Sequence, residues 1–207
     1  VSAALDANWP LEKLVVCEGH ESNPEIAALL NHAGSNTLML DAELFQAIEQ
    51  APSSSGLLAL CGLPAEVMLQ GKGFCLLLEN IQDPGNVGTI LRSAAAAGVD
   101  QVWLTPGCAD VWSPKVLRAA MGAHFHLAMA ERIDVPSALQ QFEGSLCITT
   151  LENAESIYRT DLRGSLVLAL GAEGSGISPE LDARADKRIH IPMAAGIESL
   201  NVAAAAT

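Results

Sequence analysis

The chain has 207 residues, of which 50% are hydrophobic and 17% are charged, with a formal net charge of −13 at neutral pH. That length suits one large or two small domains with a well-filled core. No apolar run reaches the roughly 18 residues of a membrane span, and no basic segment precedes an apolar one at the amino end. These features predict a soluble protein without a signal peptide, and we expect it in the cytoplasm.

The cysteines and the acidic charge limit the kinds of site that the chain can carry. Its five cysteines are scattered, without CxxC spacing or a histidine at ligand spacing, so we expect reduced thiols and no metal site. The acidic excess disfavours nucleic-acid binding, which normally uses a basic face. One group runs against this trend, because Arg92, Lys115 and Arg118 lie in segments predicted to be adjacent.

Short apolar runs alternate with amphipathic stretches, as is typical of an α/β protein with a mostly parallel sheet. In the first part of the chain, the predicted elements are strands at residues 14–17, 37–40 and 57–61, helices at 24–32 and 42–50, and a turn at 52–56. Residues 64–73 have glycines and no clean periodicity, which predicts a linker. We therefore expect one domain at residues 1–63 and a second at 74–207.

In the second part, the predicted elements are strands at residues 74–78, 102–104, 146–150, 166–170 and 188–191 and helices at 86–98 and 114–121. Asn86 is predicted to cap the first of these helices, which Gly98 would end. The chain starts without Met and stops within a run of alanines that favours a helix. We therefore expect the first domain to lack its start and the last helix to be truncated.

Three segments of the second part could carry chemistry, although each has a plain structural alternative. In the first, residues 80–92, Arg92 would follow a strand near the edge where α/β proteins bind ligands; a solvated arginine explains it equally. In the second, residues 170–177, three glycines permit close approach to a ligand. It lacks the order of known phosphate loops, Glu173 would repel a pyrophosphate, and a tight turn remains possible. The third, residues 191–203, could be a loop in which Ser199 or Asn201 begins a helix.

Together and in this order, the three segments resemble the motifs of the SpoU (TrmH-type) RNA 2′-O-ribose methyltransferases, in the knotted SPOUT superfamily. The family's first motif, an asparagine followed six residues later by an arginine, is matched by Asn86 and Arg92. Its Gly-x-Glu-Gly-x-Gly motif is matched at residues 171–176. Its Ile-Pro-Met and Ser-Leu-Asn-Val motif is matched at 191–193 and 199–202. A further similar stretch covers 113–123, although Ala120 stands where the family often has Ser.

The resemblance implies a fold and a reaction. The fold would be an α/β domain with a trefoil-knotted parallel sheet flanked by helices, preceded at residues 1–63 by a small L30e-like α/β domain that binds the substrate. The reaction would be transfer of a methyl group from S-adenosylmethionine to a ribose 2′-hydroxyl of ribosomal or transfer RNA, by a homodimer. An inactive member that only binds RNA and cofactor is the alternative. The α/β pattern alone would also allow an enzyme that uses a dinucleotide.

The resemblance also implies roles for individual residues. The implied catalytic residues are Arg92, Asn86, Glu173, Ser199 and Asn201. The implied cofactor-binding residues are Leu170, Gly171, Glu173, Gly174, Ile191, Met193, Ser199 and Leu200. RNA contacts are expected at Arg92, Lys115 and Arg118. Because a guanidinium stays protonated in proteins, we expect Arg92 to hold the hydroxyl and stabilise developing charge, with the other catalytic residues orienting it.

Overall fold

A computed structural model of the chain describes residues 1–33, 36–49, 55–194, 196 and 199–207. The chain divides into an N-terminal unit, Val1–Ala65, and a C-terminal unit, Glu66–Thr207. The division falls within the stretch predicted as a linker. Three positions of the predicted turn at 52–56, and the last residue of the predicted helix at 42–50, lie outside the described residues.

The N-terminal unit is a small α/β unit. Its elements are α1 (Ser2–Asp6), β1 (Leu11–Cys17), α2 (Pro24–Ala33), β2 (Thr37–Leu40), α3 (Ala42–Ile48) and β3 (Leu57–Cys61). Within the described residues its strands have the order β2-β1-β3, with β1 parallel to β2 and antiparallel to β3. Val16, Ile26 and Leu57 form its small buried cluster, and Phe45 is 1% exposed.

The C-terminal unit is built on one parallel sheet. Its elements are β4 (Phe74–Glu79), α4 (Pro84–Ala96), β5 (Gln101–Leu104), α5 (Pro114–Ala120), a 3₁₀ turn (Ala123–His126), β6 (Ala128–Ala130), α6 (Val135–Gln141), β7 (Ser145–Thr149), β8 (Glu155–Ser156), β9 (Leu166–Gly171), α7 (Pro179–Asp182), β10 (Lys187–His190) and α8 (Val202–Ala205). Across the described residues its seven strands have the order β6-β5-β4-β9-β7-β10-β8. Each neighbouring pair is parallel. The predicted α/β fold with a parallel sheet is confirmed.

The apolar runs of the central strands explain where the core lies. Successive residues of a strand face opposite sides of the sheet. Leu76 and Leu78 of β4 accordingly belong to a buried cluster with α4 and α5, and Cys75 and Leu77 to a second cluster on the other face, with Trp103. Burial on both faces is typical of parallel strands covered by helices. In the described ranges, no helix has the length and apolar character that crossing a membrane requires.

Helix α4 confirms one prediction from the sequence and corrects another. The predicted helix is present; Val87, Ile90, Leu91 and Ala94 are buried on it, and Arg92 is exposed. The predicted cap is wrong: the carboxylate of Asp83 caps the helix by accepting a hydrogen bond from the backbone N–H of Asn86 at 2.8 Å. Pro84 then starts the helix without needing a donor. The side chain of Asn86 is thereby left free for other contacts.

The predicted linker is only partly a linker, because its second half is fastened to the C-terminal unit. The fully buried amide of Gln101 donates to the backbone oxygen of Met68 at 2.9 Å and accepts from the backbone N–H of Gln70 at 3.0 Å. The indole of Trp103 also donates to Gln101 at 2.6 Å. Residues from Glu66 onward therefore belong structurally to the C-terminal unit.

Candidate active site

Three loops of the C-terminal unit start at the same edge of its sheet. Strands β4, β9 and β10 each precede one of the three motif segments. Because all pairs in this sheet are parallel, the carboxyl ends of these strands share one edge. The chain leaves β4 towards β5 on one side, while β9 lies on the other. Such a change of direction opens a crevice at the strand ends, where α/β proteins bind ligands.

One side chain from each loop meets the other two in a cluster, which we call the Asn–Glu–Asn cluster (Asn86, Glu173 and Asn201). The Nδ2 of Asn86 donates to Oε1 of Glu173 at 2.7 Å. The Nδ2 of Asn201 donates to the same oxygen at 2.8 Å and to Oδ1 of Asn86 at 3.0 Å. Three residues that are distant in sequence thus hold the three loops together, through bonds to one carboxylate oxygen.

Helix α8 fixes the orientation of the Asn201 amide. Its Oδ1 accepts hydrogen bonds from the backbone N–H groups of Ala203 and Ala204, at 3.0 and 3.3 Å, and so caps the helix. A cap needs the oxygen towards the helix, so the Nδ2 group must face Asn86 and Glu173. This confirms the prediction that a helix begins at Ser199 or Asn201, in favour of Asn201.

A cavity of about 730 Å³ opens beside the cluster. Its lining includes all of the residues expected to bind the cofactor: Leu170, Gly171, Glu173, Gly174, Ile191, Met193, Ser199 and Leu200. Of the expected catalytic residues, Glu173 and Ser199 line it, whereas Asn86, Arg92 and Asn201 do not. The two later motif loops therefore form a cavity of the size that small ligands occupy.

The glycines of the second motif differ in the structural reason for which each position favours glycine. A Cβ on Gly171 would lie 2.3 Å from the backbone carbon and oxygen of Gly176. The loop can therefore fold back this closely only because residue 171 has no side chain. Gly176 has a φ of +65°, a value that favours glycine. A Cβ on Gly174 would meet nothing within 4 Å, and Gly174 has no positive φ. The fold of the loop therefore favours glycine at Gly171 and Gly176, whereas Gly174 leaves open space beside the cavity.

The three basic residues expected to contact RNA lie exposed on two packed helices. Arg92 is on α4, and Lys115 and Arg118 are on α5. The helices meet closely at Gly88, where an added Cβ would lie 2.4 Å from the Cβ of Ala119. The predicted adjacency of these segments is confirmed.

Arg92 does not join the Asn–Glu–Asn cluster. Among the described residues, its guanidinium forms no hydrogen bond or ion pair. The expectation that Asn86, Glu173 and Asn201 orient Arg92 is therefore not met by direct contact, because these three side chains bind one another. Ser199 is exposed at the cavity, and no hydrogen bond joins it to Arg92 among the described residues.

Two polar contacts around the cavity were not predicted. Glu79, at the end of β4, accepts hydrogen bonds from the backbone N–H and the hydroxyl of Ser178. Arg188, which lines the cavity, binds the carboxylate of Asp182 at 2.9 Å, and this hydrogen bond raises the pKa of Arg188. The sequence held one signal for the first contact, an acidic residue at the end of an apolar strand. That signal alone does not identify the hydrogen-bond partner. Among the described residues, no three His, Cys, Asp or Glu side chains are grouped to hold a metal ion.

A family model described as the SpoU rRNA Methylase family matches residues 73–207. The chain belongs to the SpoU rRNA methylase family. A relative from Bacillus subtilis (strain 168), named 23S rRNA (guanosine(2553)-2′-O)-methyltransferase RlmP, is 34% identical over 176 residues, which are 84% of this chain and 70% of that protein. The match of the SpoU model begins one residue before β4, so it spans the sheet and all three loops of the candidate site.

Solved structures resemble this SpoU family member over nearly its whole length. One, described as an RNA 2′-O ribose methyltransferase, is 30% identical with a TM-score of 0.80, covering 99% of this chain and 81% of that one. Another, an AdoMet-bound rRNA methyltransferase from Sinorhizobium meliloti, is 25% identical with a TM-score of 0.81, covering 100% of this chain and 81% of that one. The likeness thus extends through the N-terminal unit.

Proposed function

We propose that this SpoU family member transfers a methyl group from S-adenosylmethionine to a ribose 2′-hydroxyl of ribosomal or transfer RNA. The observation that carries the proposal is the Asn–Glu–Asn cluster, which joins the three motif loops beside a cavity lined by every residue expected to bind the cofactor. The names of the Bacillus subtilis relative and of one structural neighbour support the 2′-O position.

The chemistry of the cavity fits S-adenosylmethionine. Leu170, Ile191, Met193 and Leu200 offer apolar surface, and the glycine loop offers backbone groups without side chains in the way. A cavity of about 730 Å³ lies within the range of roughly 300–1,000 Å³ that is common for ligand sites. When bound there, S-adenosylmethionine would supply a methyl group activated by its positive sulfur. The protein must then position an acceptor hydroxyl and stabilise the charge that develops on its oxygen.

The residues of this chain divide into two roles under this proposal. Arg92 has an exposed and unpaired guanidinium among the described residues, so it is available to a phosphate and to the acceptor hydroxyl. It would stabilise negative charge and not remove the proton, because a guanidinium does not deprotonate in proteins. Asn86, Glu173 and Asn201 would hold the loops in register. Ser199 would contact ligand from the cavity wall.

The RNA would contact the exposed side chains of Arg92, Lys115 and Arg118. The support is that all three are exposed and that their two helices are packed at Gly88. We also propose that the N-terminal unit is L30e-like and helps to bind the substrate. Its support is the structural neighbour at 30% identity that covers 99% of this chain.

We further propose a trefoil knot in the C-terminal unit. Its support is that residues after β10 return to α4, through Asn201 to Asn86 and through a 3.3 Å contact between Ser93 and Thr207. Stretching single molecules from both ends would test it, since a tightened knot leaves the chain shorter than an unknotted chain of equal length. We also propose a homodimer, which light scattering would test; its support is the exposed Leu117 on α5 and the exposed Met121 directly after it. We propose a cytoplasmic location, supported by the free cysteines.

The experiment that tests the function measures methyl transfer from labelled S-adenosylmethionine to unmodified ribosomal and transfer RNA transcripts. Methylated riboses are then mapped by the resistance of the next phosphodiester bond to alkali. Arg92→Ala should lower the rate by about 100-fold or more, as expected for loss of one charge-stabilising donor. Arg163→Ala is the matched control, because its guanidinium is exposed and paired with Asp161 at 2.7 Å.

A near wild-type rate for Arg92→Ala would overturn the role of that residue. A wild-type protein that binds S-adenosylmethionine in calorimetry but methylates none of the transcripts would favour the inactive binding member instead. Transfer to a base nitrogen or carbon, with no alkali-resistant bond, would contradict the 2′-O position.

A further inference from the structure

Glu79 is the one buried acidic side chain in the described part of the chain, with an exposed fraction of 7%. A carboxylate removed from water is costly unless hydrogen bonds replace its hydration. Both of its oxygens are bound to the same residue: Oε2 accepts from the backbone N–H of Ser178 at 2.8 Å, and Oε1 accepts from the hydroxyl of Ser178 at 2.6 Å. Glu79 therefore holds Ser178 at two points.

Ser178 marks the end of the glycine loop, which we define as residues 171–178. Its hydroxyl accepts a hydrogen bond from the backbone N–H of Leu181 at 3.2 Å and caps α7. One hydroxyl thus donates to Glu79 and accepts from the helix. The position of the loop end and the start of α7 are consequently set by the same carboxylate.

Glu79 also lies opposite the start of the glycine loop. In the pairing of β4 with β9, Glu79 is in register with Gly171. Between the two ends the loop is closed on itself by a bridge between Ala172 and Gly176, with a backbone hydrogen bond of 2.8 Å. A single residue of β4 therefore fixes the beginning of the loop through its backbone and the end through its side chain.

We propose that Glu79 is a positioning residue for cofactor binding, and that it acts by holding both ends of the glycine loop. The inference rests on the proposed function, since the loop carries Glu173 and Gly174 to the cavity. Without the carboxylate, Ser178 is released and the loop loses its register relative to β4. Glu173 then no longer stays in place for Asn86 and Asn201.

The test compares Glu79→Ala, Glu79→Gln and Ser178→Ala with Glu180→Gln, a control on an exposed acidic residue of α7. Hydrogen exchange of the amides of residues 172–178 should accelerate in Glu79→Ala. Its affinity for S-adenosylmethionine should fall about 10-fold or more, since hydrogen bonds to a charged group are lost. KM for the cofactor should rise more than KM for RNA. Glu79→Gln should recover part of the affinity, because one acceptor oxygen remains.

Two outcomes would overturn the inference. One is an unchanged rate of amide hydrogen exchange in the glycine loop of Glu79→Ala. The other is an equal change in KM for cofactor and KM for RNA that is fully explained by the fraction of folded protein, as measured by thermal unfolding. Combining Glu79→Ala with Ser178→Ala should cost less than the sum of the two single variants, because the bond between the carboxylate and the hydroxyl can be lost only once. Ser178→Ala additionally removes the cap of α7 and leaves the backbone N–H of Ser178 in place, so the two effects overlap only in part. Full additivity would also contradict the inference. Failure of the wild-type protein to bind S-adenosylmethionine would instead count against the proposed function, and the exchange experiment would still decide the role of Glu79.

Discussion

The two units of the chain differ in their number of basic residues and in the size of their cores. Apart from Lys13, all of the 11 Lys and Arg residues lie in the C-terminal unit. The buried cluster of the N-terminal unit has few members, whereas the C-terminal sheet is covered by large clusters on both faces. Phosphate contacts need cations. We therefore expect the C-terminal unit to supply most of the attraction for RNA, although the N-terminal unit is the one expected to bind the substrate.

Truncation of Phe45 tests whether the two units differ in stability. Phe45→Ala should destabilise the N-terminal unit by about 3–5 kcal/mol, which is the usual cost of truncating a buried Phe. A unit of that size is marginally stable, so it should unfold at a lower temperature than the C-terminal unit. Calorimetry should show two unfolding transitions, and only the one at lower temperature should be shifted relative to the wild-type protein. A single transition that shifts as a whole would show that the units do not unfold separately.

A second variant damages the site and spares the N-terminal unit. In Gly171→Ala the new Cβ would meet backbone atoms at 2.3 Å, and such overpacking costs about 1–3 kcal/mol. Binding of S-adenosylmethionine should weaken together with the C-terminal transition. Gly174→Ala is the matched control for folding, because nothing lies within 4 Å of its added Cβ. Equal unfolding temperatures for both variants would contradict the packing argument.

A third experiment tests directly the unequal distribution of cations between the two units. Replacing both Lys115 and Arg118 with Ala should lower RNA affinity by about 10-fold and reduce the slope of log affinity against log salt by about 1 to 2. Lys13→Ala removes a cation from the N-terminal unit and should leave the slope nearly unchanged. Filter binding across a salt series measures both quantities. A larger effect for Lys13→Ala than for the double variant would reverse the comparison.

A weaker effect is expected of pH on the stability of the C-terminal unit. Burial lowers the pKa of His124, whose Nε2 lies 2.6 Å from the backbone oxygen of Val111. The unfolded chain, with an ordinary pKa near 6.5, then binds the proton more readily than the folded one. The stability of the C-terminal unit should therefore fall as the pH drops below about 6.5. His124→Gln should flatten this dependence in melting curves, while His126→Gln, at an exposed position, should preserve it.

The sequence predicted the architecture of the C-terminal unit because its strands are continuous apolar runs. Strands β4 and β9 were each predicted to within one residue, since both are buried over nearly their whole length. The elements β6, α6, β8 and α7 were not predicted. These are two to seven residues long, so they span too few positions for a period of hydrophobicity to emerge.

The residues of the candidate site were found through their resemblance to family motifs, but their contacts were not. Spacing placed Asn86 at the start of a helix, where a cap is the commonest role. The structure gives that role to Asp83, because the helix begins at Pro84. Glu79 was missed for a related reason: its partner, Ser178, is distant in sequence, and nothing local shows that two loop ends meet. Contacts between loops depend on the order of strands in the sheet, which local patterns do not encode.

Asn201 shows how chemistry can restrict a position to one amino acid. Its oxygen is committed to the end of α8 and its nitrogen to Asn86 and Glu173. Aspartate would keep the accepting oxygen but would place a second negative charge next to Glu173. Serine has a single hydroxyl, which cannot reach both the helix end and the cluster. Glutamine is longer by one methylene, so its amide would not lie at the same place. No other coded side chain offers an acceptor and two donors at this reach. The position should therefore tolerate no substitution in any functional variant selected from a random library.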